Sequence, residues 1–229
     1  MELKEKERLD DLQYKGLKII QHPDKYCFTS DAVVLANLVK VDAGDKVIDL
    51  GAGSGIIAIL IAAKTKAKHV TGLELQPDMA DMAERSVTYN NLSNKVKIVN
   101  GDIKDSVKLF GPEQFDIAVS NPPYARAGSG EQNKTSGIAI SCHEVAITQK
   151  EIITAAGKLL KFGGALYIIN KCDRMAEIIY DMKAAGLEAK ESYIVSGQRA
   201  VAVEPDTVVI VGKKGGKPGM KIYSVINNV

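Results

Sequence analysis

The feature that most constrains this chain is a strand, a glycine turn and an apolar helix in immediate succession. Lys46 to Leu50 reads as a buried strand, Gly51-x-Gly53-x-Gly55 as a tight turn, and Gly55 to about Lys66 as a helix apolar almost all round. Such a helix has to be covered, and a strand that feeds straight into it belongs to a parallel sheet. The alternation then continues. His69 to Glu74 and Val96 to Asn100 read as strands, joined by a helix that opens at Pro77 and ends near Asn90-Asn91. Phe115 to Ser120 is a fourth strand, and Thr148 to Lys161 a helix closed by Phe162-Gly163-Gly164. Ala165 to Asn170 is a strand, Arg174 to Ala185 a helix stopped by Gly186, and Ser192 to Val195 with Thr207 to Gly212 a closing hairpin. The expected class is α/β, a doubly wound, mostly parallel sheet with an antiparallel element at its end.

A length of 229 residues suits one large domain better than two. That domain is expected over residues 46–212, after an extension over 1–45 and before a basic tail over 213–229. Within the extension, 1–13 reads as a charged helix or leader, Leu17 to His22 as a strand, and Thr29 or Ser30 as the cap of a helix reaching about Val39. Residues 127–141 show no clear period.

Composition excludes more than it identifies. With 45% hydrophobic and 25% charged residues the chain is an ordinary globular one, and its net charge of +2 is too small to declare a nucleic-acid partner. Lys213, Lys214, Lys217 and Lys221 follow Asp206 with no acid among them, as either an RNA-facing patch or a solvated tail. Cys27, Cys142 and Cys172 are odd in number and widely spaced, which points to free thiols in a reducing compartment. The start, Met1-Glu2-Leu3-Lys4-Glu5-Lys6, is charged where a signal peptide is apolar, and the longest apolar stretch, Ile56 to Ala63, is too short for a bilayer. No membrane and a cytoplasmic location are expected. His22 and His69 have no partner at metal-ligand spacing, so no metal is expected.

The chemistry gathers at the strand ends. The spacing Gly51-x-Gly53-x-Gly55 departs from the G-x-G-x-x-G of dinucleotide sites, and Asp49 would set a negative charge near any phosphate. An acidic start suits a ligand carrying a sulfonium and an ammonium. Glu74 ends the second strand, where a carboxylate can accept from both ribose hydroxyls. Asp102 follows the third strand and can accept from an adenine amino group while Ile103 covers the ring. Asn121-Pro122-Pro123-Tyr124 leaves the fourth strand. Two prolines fix φ and leave carbonyls without competing donors, so the Asn121 and Pro122 oxygens can grip both hydrogens of one planar NH2 group. Tyr124 offers a ring face for a flat base.

Together, Asp49 to Gly55, Glu74, Asp102 and Asn121 to Tyr124 resemble the class I S-adenosylmethionine-dependent methyltransferases, in their amino-methylating branch. The resemblance runs from about Phe28 to Gly212 and implies a Rossmann-like sheet of seven strands, the last antiparallel. Phe28 to Ala36, Gly130 to Lys134 and Lys214 to Gly219 are similar to segments of the bacterial tRNA adenine-N6 methyltransferases that act beside the anticodon of valine tRNA. This implies S-adenosyl-L-methionine as cofactor and tRNA as partner, with no membrane. It also implies cofactor contacts from Phe28, Thr29, Asp49, Gly51, Gly53, Gly55, Glu74, Leu75, Asp102, Ile103 and Asn121, and catalytic roles for Asn121, Pro122 and Tyr124. Ala125 and Cys142 depart from that group, which commonly has a bulky residue and an arginine there. Glutamine-N5 protein methylation, guanine-N2 rRNA methylation and a cofactor-binding scaffold without turnover stand as alternatives.

Overall fold

The computed structural model describes residues 2–25, 27–123, 147–197 and 205–227. Its centre is an eight-stranded sheet in the order β10-β8-β9-β7-β6-β3-β4-β5. The strands are β3 (Lys46–Leu50), β4 (His69–Glu74), β5 (Val96–Asn100), β6 (Phe115–Ser120), β7 (Leu160–Lys171), β8 (Leu187–Gly197), β9 (Thr207–Lys214) and β10 (Lys221–Asn227). β3 to β7 are mutually parallel, and β9 runs antiparallel to both β7 and β8. The bounds of β3, β4, β5 and β6 are those read from the sequence, and β8 with β9 makes the expected antiparallel hairpin.

Helices cover both faces. α1 (Ser30–Leu38), α2 (Ile56–Lys64) and α3 (Pro77–Tyr89) lie on one side; α4 (Ser106–Phe110), α5 (Gln149–Leu159) and α6 (Met175–Ala184) lie on the other. Alternation along β3 divides its side chains between the two cores: Val47 joins the α1–α2 core, while Ile48 and Leu50 join the α5–α6 core. α2 buries Ile56 through Ala62 without a break, as its composition requires. α5 opens on a capping box in which Thr148 and Glu151 satisfy each other's backbone amides. Among the described residues no helix is long and apolar enough to cross a membrane.

Three expectations need correction. The sheet has eight strands, because Lys221-Ile222-Tyr223-Ser224-Val225-Ile226-Asn227 pairs in parallel with β8 over seven residues. Its β-branched and aromatic residues make a strand of what the lysines made look like a tail. The boundary expected at 212 accordingly falls inside β9. Near the amino terminus the described residues form no helix; β1 (Arg8–Asp11) pairs antiparallel with β2 (Lys18–Gln21), and the hairpin rests on α3 through Leu9, Ile20, Met79 and Met82. Phe162-Gly163-Gly164 does not close α5 as a turn but lies within β7.

Candidate functional site

The carboxyl ends of β3, β4, β5 and β6 meet at one end of the sheet. Gly51, Gly53 and Gly55 all take left-handed φ values, of 83°, 56° and 87°. They do so for different reasons. A Cβ on Gly51 would meet nothing within 4 Å and one on Gly53 only the tip of Met79 at 3.8 Å, so these two face open space. A Cβ on Gly55 would come within 3.0 Å of the Ala83 Cβ, so Gly55 lets α2 pack closely on α3.

The turn spends its amides internally. Gly51 and Ala52 both donate to the Leu73 carbonyl, at 2.9 and 3.0 Å, and Gly55 donates to the Ala52 carbonyl at 2.8 Å. The Gly53 N–H donates to Glu74 Oε2 at 2.8 Å. A phosphate-binding turn keeps such amides for its ligand, and here those four amides are not offered to a phosphate.

Two buried acids reinforce that conclusion. Asp49 is 0% exposed, on the face of β3 that covers α2, opposite Gly72 of β4 and Val119 of β6. Neither carboxylate oxygen has a hydrogen-bond partner of normal geometry, and the Ala58 amide lies near enough only to favour the charged form. Burial, together with the neighbouring Glu74 charge, pushes its pKa up to about 7, and the Ala58 amide offsets this only in part. Glu74 is 6% exposed and accepts from the Gly53 and Gln76 amides. Burial raises its pKa, while those amides pull it back. An unpartnered buried carboxylate is costly unless a cation or donor arrives to meet it. The donor set therefore fits a ligand bearing positive charge and hydroxyls.

Side chains tie the strand ends where the ladders stop. Asn100 Nδ2 donates to the carbonyls of Glu74 and Leu75, both at 2.9 Å, and the Gly101 N–H also donates to Glu74 O at 2.9 Å. Ser120, 0% exposed, donates from Oγ to the Leu50 carbonyl at 2.8 Å. Sequence reasoning passed over both residues; the signal was a polar side chain closing an otherwise apolar strand. The next residues, Asn121 half-buried and Pro122 buried, thus leave β6 beside the point where the glycine turn leaves β3.

The other expected residues are placed less uniformly. Leu75, at the end of β4, is 41% exposed. Asp102 accepts the Lys104 amide at 2.8 Å and so caps its own short 3-10 turn, while Ile103 is buried in the α5–α6 core. Phe28 packs half-buried against the α1–α2 core, its amide donating to Gln21 Oε1 at 3.1 Å. Thr29 precedes α1 without a side-chain cap bond. Tyr124, Ala125, Gly130 to Lys134 and Cys142 lie outside the described residues. The basic stretch begins at the far end: Lys213 aligns through Ala165 and Ile117 with Val47. That is three residues below Leu50, or roughly 10 Å. Lys214 there pairs with Glu113, and Lys190 is held by the carbonyls of Lys217 and Gly219.

The family model described as Methyltransferase small domain matches residues 25–186. A tRNA1(Val) (adenine(37)-N6)-methyltransferase of Porphyromonas gingivalis (strain ATCC BAA-308 / W83) is 30% identical over 155 residues, covering 65% of this chain and 60% of that protein. One of the same name from Aeromonas salmonicida (strain A449) is 24% identical, covering 79% of this chain and 80% of that protein. The chain spans less than two thirds of the length of the Porphyromonas relative. The crystal structure of a predicted O-methyltransferase from Agrobacterium tumefaciens superposes with a TM-score of 0.68 at 22% identity over 86% of each chain, a likeness of fold. With the family model spanning the glycine turn, both buried acids and the end of β6, the chain belongs to the methyltransferase small domain family.

Proposed function

We propose that the chain transfers the methyl group of S-adenosylmethionine to an exocyclic amino group, N6 of an adenosine in tRNA. The observation that carries this reading is the departure of Asn121-Pro122 from β6 beside an acidic glycine turn whose Gly51, Ala52, Gly53 and Gly55 amides already have acceptors. Asp49, Gly51 and Gly53 would hold the methionine part, Glu74 the ribose and Asp102 the adenine. Each Glu74 oxygen, having accepted one amide, keeps a lone pair for a ribose hydroxyl. When bound, the cofactor supplies a methyl group activated on a sulfonium.

The chain's own task is positioning and charge. An adenine N6 is a weak nucleophile because its lone pair is delocalised into the ring. Accepting its hydrogens at the Asn121 side chain and the Pro122 carbonyl favours a pyramidal nitrogen and stabilises the positive charge that grows on attack. Tyr124 would supply the face on which the unstacked base rests. No base is needed before transfer, because the proton can leave afterwards. Supporting the tRNA substrate are the printed names of the relatives.

The test is nucleoside mass analysis of total tRNA after incubation with the protein and labelled cofactor. N6-methyladenosine is expected. Methylation of a glutamine-bearing protein factor with none of tRNA would overturn the substrate and keep the transfer chemistry.

A further inference from the structure

The β3–β6 ladder pairs Val47 with Ile117, Ile48 with Ala118 and Asp49 with Val119, and goes no further. The next level is Leu50 and Ser120, where β3 enters the glycine turn and β6 enters Asn121-Pro122. At that level the link is the Ser120 hydroxyl, donating at 2.8 Å to the Leu50 carbonyl, with Ser120 fully buried and Leu50 nearly so. On its other side Ser120 stays in register with Ile168 of β7. One side-chain bond therefore joins the backbone that approaches the methyl donor to the backbone that grips the acceptor.

We propose that Ser120 is a positioning residue that sets the distance between these two half-sites. The inference rests on the transfer reading above. In-line transfer depends on near-contact geometry, and a shift of about 1 Å can cost around 100-fold in rate. Without the hydroxyl, Leu50 and Asn121 can drift apart while each half-site stays whole.

The experiment compares Ser120→Ala, Ser120→Cys and Ser120→Thr with the parent, on whichever acceptor the parent methylates, tRNA adenosine or protein glutamine. Cys fills the volume with a poor donor, and Thr keeps the hydroxyl. The expected result is a kcat lowered roughly 10- to 100-fold in the Ala and Cys variants. KM and calorimetric affinity for the cofactor should stay within about twofold, with most of kcat restored in Thr. A parental kcat in Ser120→Ala and Ser120→Cys overturns the inference, as does a parallel loss of cofactor affinity. A parent that methylates only glutamine overturns the adenosine reading and leaves the Ser120 comparison to be decided on glutamine.

Discussion

The two ends of the sheet treat their charges in opposite ways. At the amino ends of the parallel strands, and in the turn from β9 to β10, the charges against the backbone are paired. Asp116 holds Lys161 at 2.6 Å and the Lys46 amide at 2.9 Å, Lys214 holds Glu113, and Lys190 closes the turn. At the carboxyl ends a fully buried acid, Asp49, stands without a partner beside a second one. The basic stretch drew attention in the sequence, yet it begins at the opposite end of the sheet from the buried acids. What marks a working site is a cost the fold bears without local return, more than a surplus of charge.

Five variants sharpen or break that contrast. The largest effect is expected at the acceptor side. Asn121→Ala should lower turnover by about 100- to 1,000-fold, the range for removing one group that stabilises transition-state charge. Cofactor affinity should be retained, as read by methyl-transfer assays beside calorimetry. A parental rate would reduce Asn121-Pro122-Pro123-Tyr124 to a rigid turn.

Asp49→Asn tests the unpartnered acid. The folded-state pKa of about 7 lies above the ordinary aspartate value of 3.8. Between those values the folded chain holds a proton that the unfolded chain releases, so the ligand-free parent should lose stability from about pH 4 to pH 7 and then level off. That difference corresponds to up to about 4 kcal/mol. Asp49→Asn should lack this loss and melt higher than the parent above pH 7, while binding the cofactor about tenfold more weakly. Identical melting curves from pH 4 to 8 would mean that Asp49 is already paired.

The glycines should separate. Gly55→Ala meets the Ala83 Cβ at 3.0 Å as well as an unfavourable φ, and should destabilise the fold by about 2–4 kcal/mol in urea unfolding. Gly53→Ala has room and should cost only about 1–2 kcal/mol for its left-handed φ. Its main effect should be on cofactor affinity. The smallest change is expected in the basic stretch. Lys213→Ala with Lys217→Ala should alter kcat/KM on tRNA by less than about threefold, and a steep loss of salt dependence there would restore the basic stretch as an RNA contact.

Much of this protein was legible in its sequence, because local periodicity and punctuation are short-range. β3, β4, β5 and β6 were readable as apolar runs closed by Asp-Leu-Gly, Glu-Leu, Asn-Gly and Ser-Asn-Pro, and α2 by its unbroken apolar length. The glycine spacing and Asp49 likewise pointed away from a dinucleotide fingerprint. Tertiary structure alone decided the rest. β10 exists by pairing with β8, its Lys221 opposite Glu191, across a stretch of chain that no local pattern spans, while β1 pairs with β2 in a hairpin that its charged residues disguise. Gly55 looks like its two neighbours until α3 is laid against it. Asp49 is ionisable in any sequence, but its shifted proton affinity follows from burial beside Glu74. Ser120 matters only because folding brings the Leu50 carbonyl, 70 residues earlier, within a hydrogen bond of its hydroxyl.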